Sequence, residues 1–512
     1  MFNSMNVLQL GHFNLKTEYS IPDEMNWVYE PDWDDSETIA ELKSIRQFDV
    51  AIVDRAISKA ESERLIECVR AYGLFVFDDA KFDINHLMES RAGKRISREN
   101  FQDFIDSRLI HYYSDTYGEQ FSMFRFTVCN QKGYKIRYTG FDGTEVKGDF
   151  GEYFRQFGYW RMNVPLQPEM SLDLWLEYEK SIDVQLEMDV YVCDSAAEGN
   201  TMEEYHFSNS ELESKEYLSI YNSKEHVGYV FVSLKAKGEG MIKVRKLHDR
   251  WGRGKEGVFL PGGERTITSD REEAFFYFEP GDLKPPLNVY FSGYKTREGF
   301  EGYGIMRAMK SPFLLVADQR LEGGNFYIGS KEYEKLVKNK ILDVMEKLHF
   351  TEKDLVFSGI SMGTTGAMYY GSMIGPEYII LGKPLADLGT IAENERINRP
   401  GGFPTSLDML AKEMGDLSEE SVKKMNERFW KNFSLGNWGH TTFIISYMYE
   451  DDYDGCAYQT LLSNLRNSGT RVFGKGLHGR HNDDTGGIIQ WFYKQYKLVL
   501  RDHYGRNLES TD

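Results

Sequence analysis

The sequence predicts an α/β fold in three parts: a small parallel α/β module, a β-sandwich and a larger C-terminal α/β domain. Three observations carry this. Short apolar runs alternate with helical stretches at both ends of the chain, the middle is a succession of strands and turns, and a serine sits between glycines where a strand gives way to a helix. For 512 residues, two to four domains are expected at roughly 100–200 residues each.

In the first part, residues 1–115, the strand-length runs are Val7–Leu10, Trp27–Glu30, Val50–Asp54 and Leu74–Phe77, with helical stretches at 36–46 and 58–72. Ser58 and Glu61 have the spacing of a capping box. Strands alternating with helices imply a parallel sheet covered by helices. Residues 81–115 read as helical and connecting. From 116 to 284, runs such as SLDLWLEY, VQLEMDVYV and AFFYFEP alternate with turn-rich gaps, the pattern of a β-sandwich. The polar, acidic stretch Asp194–Lys215 reads as a long loop. EPGDLKPP at 279–286 reads as a break between domains. From 285 to 512 the α/β rhythm returns, with helices expected at 331–348, from about 362, at 405–433 with Thr405 and Asp408 at its start, at 458–467 and at 485–498.

Gly359-Ile360-Ser361-Met362-Gly363 is the strongest chemical signal. The string alone is weak, but it follows the strand LVFS and opens the helix TTGAMYYGSM. That is the nucleophile elbow of an α/β-hydrolase. The sharp turn exposes the serine hydroxyl and aims backbone N–H groups at a substrate oxyanion. Such a serine needs a base and the base an orienting carboxylate, in the chain order Ser, acid, His. After the strand TTFIISYM come Glu450, Asp451, Asp452 and Asp454; Asp451 fits best, then Asp452, then Glu450. The loop after RVFGKG offers His478 and His481, and His481, just before the last helix, is favoured. For the oxyanion, the Met362 amide is one donor and Gly293 or Tyr294, in the loop after LNVYFS, the other.

Other signals are set aside. GKGLHG at 474–479 matches a dinucleotide-loop string, but too little chain follows for the rest of that unit. Asp54 ends a strand as a receiver's phosphoacceptor does, but Gly11-His12 stand where the acidic pair belongs. Asp452-Tyr453-Asp454-Gly455 has no Glu at calcium-loop spacing. Trp175 and Trp251 are aromatic candidates for stacking on a sugar. Asp+Glu exceed Lys+Arg, 80 to 61, for a net charge of −19, which argues against nucleic acid and anionic lipid. Cys68, Cys129, Cys193 and Cys456 form no CxxC, so neither a metal framework nor disulfides are expected. No run is long enough for a membrane span, the N-terminus has no signal-peptide pattern, and the expected location is cytoplasmic.

With LVFSGISMGTTGAMYYG, FIISYMYEDDYDG, GLHGRHNDDTGG and the opening MNVLQLG, the chain resembles, over its full length, the second accessory secretory proteins of the accessory Sec system of Gram-positive bacteria. The resemblance implies a triad of Ser361, Asp451 and His481. It implies O-acetylation of N-acetylglucosamine on serine-rich-repeat glycoprotein adhesins, and a part in their export. The implied partners are the other accessory secretory proteins, the accessory motor ATPase and the adhesin itself, with peripheral placement at the translocase through them. The triad needs no cofactor, and the motifs do not name the acetyl donor. The rival readings are a non-enzymatic export adaptor and a carbohydrate esterase.

Overall fold

The computed structural model describes residues 5–23, 25–31, 33, 47–129, 131–197 and 199–508. Its first sheet is all parallel, in the order Met25–Glu30, Met5–Leu10, Val50–Val53, Leu74–Phe77 and Lys94–Ile96. The central strands VAIV and LFVF are buried throughout, as expected where helices cover both faces. Helix Lys59–Cys68 opens on the Ser58/Glu61 capping box and ends four residues before the sequence reading has it. The strand Lys94–Ile96 falls in the stretch read as connecting. It is a short basic edge segment with little apolar signal of its own. The helix expected at 36–46 lies outside the described residues.

The middle of the chain forms an antiparallel network of ten strands around one buried apolar core. Its axis is the 24-residue strand Gly228–Trp251. Register shifts near Gly238 bend that strand, and Gly238 and Gly240 both have positive φ, so it can serve different neighbours along its length. The first half pairs with Gln185–Cys193, and the second with Ser171–Lys180. Within the expected loop Asp194–Lys215, Thr201–Phe207 is an edge strand and Asn209–Glu213 a short helix. An edge strand is largely solvated, so its polar composition hid it.

The third sheet has eight strands, in the order Glu264–Ile267, Glu273–Glu279, Phe313–Asp318, Leu287–Phe291, Leu355–Ile360, Tyr378–Gly382, Thr442–Met448 and Arg471–Leu477. The first two pair antiparallel and the rest are parallel. The exchange of third and fourth strands is the strand order of the α/β-hydrolase fold. Separate apolar cores fill the two faces. The sheet begins at Glu264, so a boundary at 284/285 cuts through it. EPGDLKPP is a turn between two of its strands, because Glu273–Glu279 zips onto Phe313–Asp318. The helical stretch 405–433 is two helices, Ser406–Met414 and Glu419–Phe433, separated by Gly415 at positive φ. Thr405 makes no capping bond, and the Asp408 carboxylate accepts instead from the Phe141 amide of the β-domain at 3.0 Å.

Candidate active site

Ser361 joins strand Leu355–Ile360 to helix Met362–Ile374 with φ 55° and ψ −125°, a strained conformation for a non-glycine residue. The flanking glycines are required by contact. A Cβ on Gly359 would lie 2.4 Å from the Gly363 carbonyl, and one on Gly363 2.0 Å from the Phe291 oxygen. The turn is pinned where the Ser361 amide donates to the Gly382 oxygen at 2.8 Å. It projects Oγ beyond the C-terminal ends of the parallel strands, where open α/β sheets place their ligands.

Loops from three parallel strands meet there. Ser361 Oγ is 2.8 Å from His481 Nε2, and His481 Nδ1 is 2.8 Å from Asp451 Oδ2. The other Asp451 oxygen accepts from the Tyr453 and Asp454 amides at 2.9 and 3.2 Å. These bonds fix the carboxylate's direction and hence the imidazole's. His481 is buried, with the Tyr453 ring 4.3 Å away. Burial holds its pKa below 6.5, against the opposing pull of Asp451. Burial also works against the Asp451 charge, but the His481 hydrogen bond and charge together with the Tyr453 and Asp454 amides outweigh it and keep this carboxyl below its ordinary range. At neutral pH the row is therefore a neutral imidazole held by an ionised carboxylate.

The neighbouring candidates stand elsewhere. Asp452 accepts from the His481 backbone amide at 3.0 Å and pairs with Arg399; it fixes the loop and does not meet the imidazole Nδ1. Glu450 and His478 pair with each other at 3.1 Å on the surface, with the His478 side chain 85% exposed. Asp454 accepts from the Ala386 and Asp387 amides, at 2.8 Å each, and burial pushes it up to about 7.

At the oxyanion position, the Met362 and Tyr294 amides have no acceptor among the described residues. The Gly293 amide is different. It donates to Glu301 Oε2 at 2.5 Å, so in this conformation it is not open to a substrate oxygen, and Tyr294 is the available partner of Met362. Nothing in the spacing of Gly293 and Glu301 signals this contact, because the intervening loop folds back on itself.

Sequence reasoning also missed the residues that hold this loop. Glu298 is fully enclosed, 2.5 Å from both His248 Nδ1 and Arg250 Nε. Arg250 in turn makes two bonds to Glu273. Strand Gly228–Trp251 thus fastens the oxyanion loop to the β-domain. Burial disfavours the charge on His248, and Glu298 and Glu177 together more than offset it, holding the imidazole up at about 9. Glu177, His248 and Glu273 present ligand atoms within 4.8 Å of one another. Arg250, Arg265 and Glu298 already engage His248 and Glu273, which makes the cluster a buried ion network. Lys383, buried at the end of strand Tyr378–Gly382, adds a positive charge that helps keep His481 neutral.

The signals set aside have structural places. Asp54 pairs with Arg98 at 2.5 Å. GKGLHG lies on and just after the sheet's edge strand Arg471–Leu477. Trp175 is buried, with the Arg271 and Arg265 guanidinium groups 3.9 and 4.6 Å from its ring, and Trp251 stacks on Tyr117 at 5.5 Å. The four cysteines are free. Among the described residues no helix is long and apolar enough to cross a membrane.

Comparison with known proteins places this architecture. Residues 5–506 match the family described as the accessory Sec system GspB-transporter. The chain is 36% identical over 512 residues to an accessory Sec system protein of Staphylococcus aureus, covering 98% of this chain and 97% of that one. It is 34% identical over 512 residues to another from Streptococcus gordonii, covering 99% and 100%. Among solved structures it is similar to a chain of the glycosylation-associated protein Gap123 complex from Streptococcus agalactiae, with a TM-score of 0.87 and 34% identity over 99% of this chain and 100% of that chain. The chain belongs to the accessory Sec system GspB-transporter family.

Proposed function

We propose that the chain is a serine O-acetyltransferase acting on N-acetylglucosamine of serine-rich-repeat adhesins during their export. The observation that carries the chemistry is the Ser361–His481–Asp451 row, with two contacts of 2.8 Å, at the loops where the α/β-hydrolase order puts nucleophile, base and acid. The family, and a relative named for association with glycosylation, support a glycan acceptor.

The chemistry follows from the geometry. Ser361 Oγ bonds to the carbonyl carbon of an acetyl ester or thioester as its proton passes to His481 Nε2. The carbonyl oxygen takes the negative charge and accepts from the Met362 and Tyr294 amides. As the tetrahedral adduct collapses, the bond to the leaving group breaks and that group takes the proton from His481. A sugar hydroxyl then gives its proton to the neutral His481 and bonds to the acetyl carbon, and the Ser361 ester bond breaks as His481 returns the proton to Oγ. Asp451 orients the imidazole and stabilises its charged form throughout. Water in place of the sugar makes the same chain an esterase, so exclusion of water decides the outcome.

The test incubates the purified chain with an acetyl donor and glycosylated adhesin repeats and reads glycan mass. Acetate on N-acetylglucosamine supports the proposal, whereas free acetate alone makes the chain an esterase. The acid limb of kcat/KM is a further check. Protonated His481 cannot accept the serine proton, so activity falls as pH falls, with a midpoint below the ordinary imidazole value of 6.5. A midpoint above 6.5 would contradict the electrostatic account of the site.

A second role is consistent with the first. The Gap123 relative is part of a complex, and the first two domains present surface that acyl transfer does not use. We assign to it binding of the other accessory secretory proteins and the motor ATPase, in the cytoplasm and at the membrane through these partners.

A further inference from the structure

Lys246 extends from strand Gly228–Trp251 with only 3% of its surface exposed. The surrounding carboxylates act on it through space, and burial holds it down at about 8. Asp142 is taken by Lys243, Asp408 by the Phe141 amide, and Glu177 faces His248. Among the described residues the ammonium has no hydrogen-bond or ion-pair partner; it lies 5.4 Å from the centre of the Phe141 ring. A buried donor without an acceptor is costly, and here it borders a cavity of about 240 Å³.

The cavity has the converse feature as well. Gln120 donates its amide hydrogens to Glu298 and to the Gln319 carbonyl, but its buried oxygen accepts nothing. Glu322, another lining carboxylate that acts on Lys246 through space, makes no hydrogen bond or ion pair among the described residues. An unused donor on Lys246 and an unused acceptor on Glu322 therefore line the same space, as a polyol requires. The charges lining it are Lys246 and Arg297 against Glu119 and Glu322, with Arg297 3.5 Å from Glu119. This balance suits a neutral ligand, since a phosphate would meet two carboxylates. The volume falls below the roughly 300–1,000 Å³ of drug-sized sites, so it suits one small polar ring.

The cavity borders the loop that carries Tyr294. Its wall residues Thr296 and Arg297 follow Tyr294 in the oxyanion loop. Gly323, next to Glu322, packs under the Tyr294 ring so closely that a Cβ would lie 2.4 Å from it. A series of ring contacts leads from this loop to the base: Tyr294 to Phe403 at 4.8 Å, Phe403 to Tyr453 at 6.0 Å, and Tyr453 to His481 at 4.3 Å. We infer that this cavity binds one neutral sugar ring of the acceptor glycan, next to the ring that receives the acetyl group. The inference rests on the acyl-transfer reading and adds to it the subsite that selects an extended acceptor.

The test compares acetyl transfer to methyl N-acetylglucosaminide with transfer to disaccharides linking N-acetylglucosamine to glucose, galactose or a second N-acetylglucosamine. The parent chain should prefer its best disaccharide by about tenfold in kcat/KM, the equivalent of one well-made polar contact. Lys246→Met, which keeps the apolar stem, and Glu322→Gln, which keeps the shape, should each bring that preference close to unity through a higher KM for the disaccharide. A parent without preference, or folded variants that retain it, would overturn the subsite. If the parent acetylates no acceptor, the acyl-transfer reading fails separately. Saturation-transfer NMR with the same disaccharides then decides the cavity: contact signals weakened by Lys246→Met support a sugar site, and absent or unchanged signals overturn it.

Discussion

Ser361→Ala is expected to lower acetyl transfer by about 10⁴-fold or more, the scale of losing a serine nucleophile, while leaving the fold intact. The substitution removes one oxygen at a half-buried elbow and keeps the positive φ, so stability should change by about 0.5 kcal/mol or less. Ser361→Gly should lose the same activity yet gain stability, because glycine adopts that backbone without the strain of about 1–3 kcal/mol. Thermal melts of the three proteins separate the two effects. In cells, Ser361→Ala should stop acetylation while the adhesin is still exported, because a serine at the base of a cleft adds little to partner surfaces of about 800 Å² each. Deletion of the chain should block both outputs. Loss of export in a stably expressed Ser361→Ala strain would make acetylation a prerequisite of transport and end the two-role account.

The second large effect lies in the acid. Asp451→Asn should reduce kcat by about 10⁴-fold, because an amide in this position favours the wrong imidazole tautomer and cannot stabilise the imidazolium. Asp452→Asn keeps an oxygen for the His481 amide and should cost less than about tenfold. His481→Ala should match Ser361→Ala, and His478→Ala should stay near the parent, since that side chain contacts Glu450 on the surface. Steady-state kinetics on the four variants checks the assignment. A larger loss for Asp452→Asn than for Asp451→Asn would move the acid to the neighbouring residue.

What could be read from the sequence follows a physical line. The elbow was legible because three constraints coincide over a dozen residues: a buried strand, glycines where carbonyls approach within 2.0–2.4 Å of a would-be Cβ, and a helix start. The loops bearing Asp451 and His481 were legible because strand order fixes where such loops fall. The hydrolase sheet's first two strands were not, because strands joined antiparallel read like the β-domain before them. The hold of Glu301 on Gly293 and of Arg250 on Glu298 had no local signature either. Such contacts depend on long-range burial, which neither period nor spacing encodes. Lys246 looks in sequence like any outward lysine of a strand; only the packing of Phe141 and the oxyanion loop above it makes it a buried, unpaired charge.

The most direct measurement of the central claim is covalent trapping with a serine-reactive fluorophosphonate, followed by peptide mapping on the full chain. The account predicts one adduct, on Ser361, with labelling strongly reduced in His481→Ala and retained in His478→Ala. An adduct on another residue, or labelling indifferent to His481, would contradict it.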